Sequence, residues 1–440
     1  MRNLTVCAVA TVFALLSGTS VRAQDISGVW QGTLHNGTTG VDRRLVLHIQ
    51  KTEPGGWSGT FYTIDLTGDP IPLASATLHG SDFEYSFGSD ARYSGKLSSD
   101  GTSIKGTWFA SAVLPLDFQR ATKETLWRFP SPHSVSFVTV DKDVKLEVLD
   151  WGGSGPPMVF LTGLGNDAHI FDAFAPKFTA THHVYGITRR GFGKSSAPGL
   201  SISNYSADRL GDDVLAVIES LKLDRPVLVG HSIAGEELSS IGSRHPEKIA
   251  GLIYLDAGYS YAFYNRSQGD LTLDSIELRK KTEQLLTAES AQDEEQLIQE
   301  ILEINLPQIE KELHARQKEL EAQPILPQNQ QTQPSTRPPV VLSPPVAIFE
   351  GEQKYTDIRV PILAIFAVPH DLGSGFKNDP ASLAAWEAMD TAQTGAQAKA
   401  FESALPSARV VRLPHANHYV FQSNEADVLR EMNAFLATLK

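Results

Sequence analysis

The stretch from Pro226 to Leu238 reads PVLVGHSIAGEEL and decides the fold class of the chain around it. Its proline-led apolar start predicts a short buried strand, and its Glu-Glu-Leu end favours a helix. Between the two, small residues flank Ser232 in the sequence GHSIA. This is typical of a nucleophile elbow, G-x-S-x-G, whose serine has small neighbours because its backbone is strained. Ala234 is a mild departure, so the stretch predicts a nucleophilic serine at a strand-to-helix turn.

Short apolar runs alternate with amphipathic segments on both sides of this stretch. The runs are typical of a parallel sheet buried on both faces, and the segment from Ala207 to Leu221 has one apolar side, as a surface helix does. The alternation predicts a doubly wound α/β domain over residues 131–440. The predicted strands are Val144 to Leu149, Met158 to Leu161, His183 to Ile187, Pro226 to Val229, Gly251 to Leu255, Ile362 to Phe366 and Arg409 to Leu413.

A nucleophilic serine needs a histidine base, and the sequence LPHANH at residues 413–418 offers two. His418 follows a small Ala-Asn pair and precedes Tyr419, in a loop from which an imidazole can reach over the edge of the sheet. It is therefore the predicted base. His415 lies closer to the strand and is the alternative.

Two aspartates could orient this histidine and stabilise its cation. Asp256 directly follows the predicted strand that ends at Leu255. Asp371 lies beyond the strand that ends at Phe366, with four residues between them. Asp371 is preferred because a loop of this length can bend toward His418, and Asp256 is kept as the alternative acid.

Attack on a carbonyl also needs N–H donors for the oxygen that becomes negative. The backbone amide of Ile233, immediately after the nucleophile, is one predicted donor. The glycine-rich loop that follows the strand ending at Leu161 offers the second, at Leu164. Together these two amides form the predicted oxyanion hole.

The first 23 residues have the features of a secretory signal peptide. Arg2 precedes a 13-residue apolar run, too short to span a bilayer, and small residues lead to a cleavage site after Ala23. Cleavage would remove Cys7, the only cysteine, and change the formal net charge from −13 to −15. The sequence thus predicts an acidic protein exported to the periplasm or beyond, without disulfides, membrane insertion or bound nucleic acid.

Residues 24–130 read as short alternating segments separated by turn residues. They predict a small antiparallel β-barrel or sandwich with Trp30, Trp57 and Trp108 in its core. The opening Gly28-Val-Trp30 and the following meander are weakly similar to lipocalins. A ligand-binding barrel and a stabilising or spacing module both remain possible roles. A proline-containing segment at residues 129–132 is the predicted linker to the next domain.

One long insertion, residues 260–357, separates the predicted strands ending at Leu255 and beginning at Ile362. Its first part is charged and helical, and Pro307 is predicted to end one helix and start the next. Its second part, residues 323–345, contains seven prolines among Gln, Ser and Thr, a composition typical of a flexible or polyproline segment.

Four motifs in order resemble the α/β-hydrolase superfamily: TGLGND at 162–167, RRGFGKS at 189–195, GHSIAG at 230–235 and LPHANH at 413–418. The resemblance covers about Val135 to Lys440 apart from the insertion. Thr188 stands where the family often has an aspartate, and the TGLG loop lacks the usual histidine. The resemblance implies that the insertion is a cap over the active site.

The serine distinguishes this chain from relatives in the same superfamily. Epoxide hydrolases and haloalkane dehalogenases have an aspartate at this position, and its alkyl-ester intermediate cannot form on serine. A serine with a histidine base suits attack on a carbonyl. We therefore predict an exported serine hydrolase of a carboxylic ester or similar acyl compound, without metal or organic cofactor. The alternatives are an amide, peptide or carbon–carbon bond hydrolase with the same residues, and a non-catalytic ligand-binding protein.

Overall fold

The computed structural model describes residues 25–35, 42–53, 55–63, 71–87, 91–110, 113–126, 133–322, 342–371 and 380–439. The predicted signal peptide, the predicted linker and most of the proline-rich segment lie outside these residues. Within the described ranges, no helix combines the length and the apolar character that crossing a membrane requires.

The N-terminal part of the chain forms one nine-stranded antiparallel sheet. Its strands are β1 (Gly28–His35), β2 (Asp42–Thr52), β3 (Gly56–Thr63), β4 (Ile71–Pro72), β5 (Ser75–His79), β6 (Asp82–Ser86), β7 (Arg92–Leu97), β8 (Ser103–Phe109) and β9 (Val113–Arg120). The strand order is β4-β3-β2-β1-β9-β8-β7-β6-β5, so the first and last strands of the sheet pair at its centre. The antiparallel β architecture agrees with the prediction, and its form is a half-barrel sheet.

Alternation along these strands places the apolar side chains on one face of the half-barrel. Trp30, Phe83 and Phe118 are fully buried in a single cluster there. Trp57 and Trp108 are only partly buried against the same cluster. Of the three tryptophans predicted for the core, one lies at its centre and two lie at its margin.

The rest of the chain is built on an eight-stranded sheet. Its strands are β10 (Ser134–Asp141), β11 (Val144–Gly152), β12 (Pro157–Leu161), β13 (His183–Ile187), β14 (Val227–His231), β15 (Gly251–Leu255), β16 (Ile362–Ala367) and β17 (Ala408–Leu413). The order is β10-β11-β13-β12-β14-β15-β16-β17; β11 is antiparallel to both of its neighbours, β10 and β13, and all other neighbouring strands are parallel. All seven predicted strands are present, and β10 was not predicted.

Both faces of the parallel strands are covered, as the continuous apolar runs predict. Every residue of β14, β15 and β16 is buried, and two separate apolar clusters pack on opposite sides of the sheet. The chain reverses its direction of winding at β12, which pairs with β13 on one side and β14 on the other. Ligands bind at the carboxyl edge of a sheet beside such a reversal, and the elbow at Ser232 lies at this edge.

Ten α-helices are described around the second sheet. They are α1 (Ile202–Tyr205), α2 (Ala207–Ser220), α3 (Ala234–Arg244), α4 (Leu271–Leu286), α5 (Ala291–Glu300), α6 (Leu306–Ala322), α7 (Pro344–Glu350), α8 (Pro380–Ala404), α9 (Val420–Ser423) and α10 (Glu425–Leu436). Four of them, α4 to α7, belong to the insertion between β15 and β16. A π-helical segment, Ile301–Asn305, joins α5 to α6, and Pro307 lies in the first turn of α6.

Candidate active site

Ser232 lies in the turn between β14 and α3. Its φ is 56°, in the left-handed region that non-glycine residues avoid. Gly235 permits the turn, since a Cβ there would lie 1.9 Å from the carbonyl oxygen of Ala257. At Gly230 a Cβ would come within 2.9 Å of the Leu238 side chain. The strained backbone and small neighbours of the predicted elbow are therefore both present.

The structure brings Ser232 and His418 together. His418 Nε2 lies 2.9 Å from Ser232 Oγ, and on the other side of the ring Nδ1 lies 2.6 Å from Asp256 Oδ2. With Nδ1 protonated, Nε2 is the acceptor that a serine nucleophile needs. The alternative base, His415, is exposed, and its ring lies 3.6 Å from Glu387.

The preference for Asp371 is corrected by this geometry, because the carboxylate in contact with His418 belongs to Asp256. β15 is the neighbour of β14, so Asp256 leaves the sheet directly beside the elbow. Parallel pairing of β16 with β17 continues to a bridge between His370 and Ala416, and neighbouring side chains of an extended segment point to opposite sides. His370 takes the inward position, and Asp371 is exposed.

Asp256 accepts hydrogen bonds at both carboxylate oxygens. Oδ2 accepts from His418 Nδ1, from His370 Nε2 at 2.8 Å and from the Tyr259 hydroxyl at 3.0 Å, while Oδ1 accepts from the Ala367 amide at 3.0 Å. Burial alone would raise the pKa of Asp256, but the hydrogen bonds from His370 and His418 outweigh burial and hold the pKa well below its usual range. Asp256 is therefore an anion throughout the physiological pH range.

Sequence reasoning missed His370 and Asp390, which extend the same network. His370 Nδ1 lies 2.9 Å from Asp390 Oδ2, and the backbone amide of His370 donates to the same oxygen at 2.7 Å. Burial would lower the pKa of His370, but the hydrogen bonds to Asp256 and Asp390 raise it to about 10. The only sequence signal was the position of His370 after β16, next to the favoured Asp371.

His231 fixes the loop that carries His418. It is buried inside the sheet edge, where burial lowers its pKa to about 3, so its ring is neutral. Its Nε2 donates to the His418 carbonyl at 3.0 Å, and its ring packs against those of His418 and Tyr419. The residue between glycine and serine in the elbow thus positions the backbone of the base.

The two predicted oxyanion donors lie on adjoining segments. Ile233 begins the turn into α3, and Leu164 packs against it in one apolar cluster. Arg189 holds the Leu164 loop: its guanidinium donates to the Thr162 carbonyl at 2.7 Å and forms a buried ion pair with Glu237 of α3. The RRGFGKS motif therefore ties the glycine-rich loop to the helix that follows the nucleophile.

Glu236 is fully buried in the first turn of α3, and neither of its oxygens has a hydrogen-bond partner among the described residues. Burial, with the carboxylates of Glu237 and Glu352 nearby, raises its pKa well above the usual range. The folded protein therefore keeps a proton that the unfolded chain releases above pH ~4.5. As pH rises from this value, unfolding becomes more favourable, because the unfolded state binds fewer protons.

We expect Glu236→Gln to raise the free energy of unfolding at pH 8, because the amide needs no proton to be neutral. The gain at pH 5 should be much smaller. Thermal unfolding of both proteins at the two pH values measures this difference. Glu247→Gln, at an exposed position, is the matched control and should change neither value. An equal gain for Glu236→Gln at both pH values would contradict the expectation.

A cleft of about 1080 Å³ opens beside His418 and His370. One wall is formed by the segment 267–271 and α6 of the insertion, and the other by α8. On the elbow side, Phe192 and Tyr261 lie beside Leu164 and Ile233 in an apolar cluster closed by α7. Ser232 thus lies between an apolar wall and a cleft to which polar and charged side chains contribute.

The first sheet contacts the site through Arg43 of β2. Its guanidinium donates to the Tyr419 hydroxyl at 3.3 Å and lies over the ring, 5.8 Å from its centre. The same hydroxyl lies 3.2 Å from Asn166 Oδ1, in the glycine-rich loop. The half-barrel therefore contacts the residue next to His418, although it contributes no group to the contacts of Ser232 described above.

Two clusters among the described residues have the ligand types and spacing that a metal ion could use. One comprises Asp256, His370 and His418, whose facing atoms are joined by the hydrogen bonds above. The other comprises His133, His169 and Asp172; His169 Nδ1 lies 2.9 Å from one Asp172 oxygen, and Trp151 donates to the other at 2.8 Å. In both clusters the carboxylate accepts hydrogen bonds from side chains of the protein, so each cluster has the arrangement of a hydrogen-bonded network.

The doubly wound sheet and the contacts of Ser232, His418 and Asp256 define the class of the protein, an α/β fold with a nucleophile elbow. A family model described as the α/β hydrolase fold matches residues 156–425, and the chain belongs to this family. The resemblance drawn from the four sequence motifs is confirmed.

Curated relatives match over shorter stretches. The chain is 25% identical to 2-(acetamidomethylene)succinate hydrolase of Mesorhizobium japonicum over 104 residues, which are 24% of this chain and 36% of the relative. It is 30% identical to a fluoroacetate dehalogenase of a Burkholderia species over 115 residues, 26% of this chain and 38% of the relative. A match with bifunctional epoxide hydrolase 2 of Rattus norvegicus is 26% identical and covers 35% of this chain and 26% of the relative. The chain thus spans 26% to 38% of the length of these relatives.

Two solved structures match most of this chain at low identity. The crystal structure of a proline iminopeptidase-related protein from Thermus thermophilus covers 70% of this chain and 98% of its own, at 17% identity and a TM-score of 0.43. The crystal structure of E-2-(acetamidomethylene)succinate hydrolase covers 70% of this chain and 100% of its own, at 19% identity and a TM-score of 0.42.

Proposed function

We propose that the protein is a serine hydrolase that cleaves a carboxylic ester or a similar acyl compound through an acyl-serine intermediate. One observation carries the proposal: His418 lies between Ser232 Oγ, at 2.9 Å, and Asp256 Oδ2, at 2.6 Å. A hydroxyl, an imidazole and a carboxylate in this order form the unit that activates serine toward carbonyl carbon.

The reaction has two halves. Ser232 Oγ attacks the carbonyl carbon while His418 Nε2 takes its proton, and the Asp256 anion stabilises the imidazolium that forms. The amides of Leu164 and Ile233 stabilise the negative oxygen of the tetrahedral intermediate. His418 then protonates the leaving alcohol, which departs and leaves the acyl group on Ser232. Water, deprotonated by His418, releases the acid and restores the serine.

The identity of the nucleophile supports acyl chemistry. Opening an epoxide or displacing a halide through a covalent intermediate requires a carboxylate nucleophile, whose alkyl ester is then hydrolysed at the carboxyl carbon. A serine would form an ether instead, which water does not cleave under the same catalysis. The elbow carries Ser232, so an ester or related acyl substrate fits this chain better than the reactions named for the dehalogenase and epoxide hydrolase relatives.

We propose that the insertion serves as a cap that shapes the substrate site. α6 and the segment before α4 line the cleft beside His418, and α7 closes the apolar wall beside Ile233. The apolar wall is suited to an acyl chain, and the cleft, with its polar side chains beside His418, to the leaving alcohol. Export and the binding of a ligand by the half-barrel are further proposals, which rest on the sequence features of residues 1–23 and 24–130.

Active-site labelling tests the proposed function. A fluorophosphonate probe should react with wild-type protein and add its phosphonyl group to the peptide that contains Ser232, because phosphorus mimics the tetrahedral carbon. Prior denaturation should abolish labelling, since the reaction depends on His418 holding the hydroxyl. A folded wild-type protein that stays unlabelled, or carries the label on another residue, would refute the proposal.

A further inference from the structure

His370 lies between two carboxylates. Its Nε2 is 2.8 Å from Asp256 Oδ2, and its Nδ1 is 2.9 Å from Asp390 Oδ2. A neutral imidazole carries one N–H and one lone pair, so it can donate to only one of these oxygens. The other nitrogen would direct its lone pair at a carboxylate. Both contacts become hydrogen bonds only when both ring nitrogens are protonated, and the ring then carries a positive charge.

Asp390, a residue of α8, is held as an anion by donors from its own helix and from the loop after β16. Its Oδ2 accepts from the His370 backbone amide at 2.7 Å, and its Oδ1 accepts from the Thr394 hydroxyl at 2.9 Å. The carboxylate is mostly buried, with 10% of its side chain exposed. An acceptor with three donors on its two oxygens is stabilised in the charged form. His370 therefore has a fixed counter-ion on the side away from Asp256.

On the basis of the proposed function, we propose that His370 is a positioning residue of the catalytic site: a cationic second imidazole on Asp256 that offsets the carboxylate's charge and moves the acid limb of the kcat/KM profile to lower pH. His418 and His370 donate to the same oxygen of Asp256, and their ring centres are 6.2 Å apart. The positive charge of His370 offsets much of the negative charge that His418 senses. The imidazolium that forms on His418 during catalysis is then stabilised less than it would be beside Asp256 alone.

Other charged groups near His370 belong to the elements that surround it. The Tyr259 hydroxyl lies 3.1 Å from His370 Nε2, and burial with the nearby Asp256 raises the pKa of Tyr259 well above the usual range, so it remains neutral. Asp371 follows His370 in the chain and lines the same cleft. The charged side chains that line the rest of the cleft are Asp270, Lys311, Glu312 and Arg316. The charged groups in hydrogen-bond contact with the ring are Asp256 and Asp390, and these two anions set its charge.

Nitrogen NMR of the wild-type protein with labelled histidine tests the charge directly. One imidazole should show two protonated ring nitrogens at pH 8, where an ordinary histidine, with a pKa near ~6.5, is neutral. That signal should be absent from His370→Gln, and in Asp390→Asn it should titrate at lower pH because a counter-ion is lost. If the signal is missing from the wild type at pH 8, or persists in His370→Gln, the inference is overturned.

The pH dependence of kcat/KM tests the consequence. Glutamine at position 370 keeps an N–H donor for Asp256 but carries no charge, so the acid limb of the profile should move up by about one pH unit. His415→Gln makes the same substitution at an exposed site in the His418 loop and should leave the limb in place. A merely structural role would lower the plateau without moving the limb, and that result in a folded His370→Gln would overturn the inference.

Two checks separate the possible failures. If His370→Gln does not fold, Asp390→Asn replaces it, with the rise of the acid limb expected to be smaller because His370 remains partly charged. An imidazolium signal in a wild-type protein that neither labels with fluorophosphonate nor hydrolyses esters would refute the proposed function and leave the charge of His370 established. Normal labelling and turnover without the signal would refute the role of His370 alone.

Discussion

Replacing Ser232 by alanine is expected to lower kcat/KM for a chromogenic ester by about 10⁴-fold or more, because the variant has no atom that can form the acyl bond. Ser232 Oγ is the hydroxyl within 2.9 Å of His418 Nε2, and its loss leaves only background attack by water in the oxyanion hole. Steady-state kinetics with full-length protein measure the loss, and the fluorophosphonate label should disappear from the same variant.

Folding is not expected to account for this loss. Alanine is smaller than serine and fits the same turn, and the φ of 56° costs alanine about as much as serine. The unfolding temperature should therefore stay close to that of the wild type. Ser203→Ala, at an exposed position of α1, is the matched control and should retain full activity. Turnover by Ser232→Ala within about tenfold of the wild type would place the nucleophile elsewhere.

The sequence predicted the elbow well because every part of its signal is local. The strand, the small residues and the helix are adjacent in the chain, and each has a steric reason that the structure shows at Gly230 and Gly235. Buried parallel strands are likewise local patterns, so all seven predicted strands are present. The histidine was found because the last loop before the final helices held only two candidates.

The acid could not be chosen from the sequence, since the choice depends on strand order and on the side to which a chain turns. Asp256 and Asp371 both follow buried strands, and loop length alone favoured the wrong one. The decisive facts are that β15 lies next to β14, and that the extended segment after β16 turns His370 inward and Asp371 outward. Neither fact has a local signature.

The wider network lay beyond sequence reasoning for a similar reason. Asp390 lies 20 residues after His370 on a helix that had not been predicted, and an aspartate on a helix has many ordinary uses. The form of the N-terminal sheet could not be predicted either. Alternation predicts that one face of the sheet is buried, but it leaves open whether the sheet forms a barrel, a sandwich or a half-barrel.

Asp256→Asn and Asp371→Asn form the sharpest comparison, because the two aspartates competed for one role. We expect Asp256→Asn to lower kcat/KM by about 10³- to 10⁴-fold, while Asp371→Asn stays within about twofold of the wild type. An asparagine at position 256 can no longer stabilise the His418 imidazolium, and its amide can hold the ring with Nδ1 as acceptor, which turns a proton rather than a lone pair toward Ser232.

Loss of fold has to be separated from loss of chemistry in Asp256→Asn, because this buried carboxylate accepts from His418, His370, Tyr259 and the Ala367 amide. A stability loss of about 2–4 kcal/mol is expected from placing an uncharged amide among these donors, so kinetics should be measured well below the unfolding temperature. Below that temperature, a folded Asp256→Asn should label slowly with fluorophosphonate, since the nucleophile is present without an effective base. Should Asp371→Asn suffer the large loss and Asp256→Asn keep its activity, the carboxylate that the structure places on His418 would have no catalytic role.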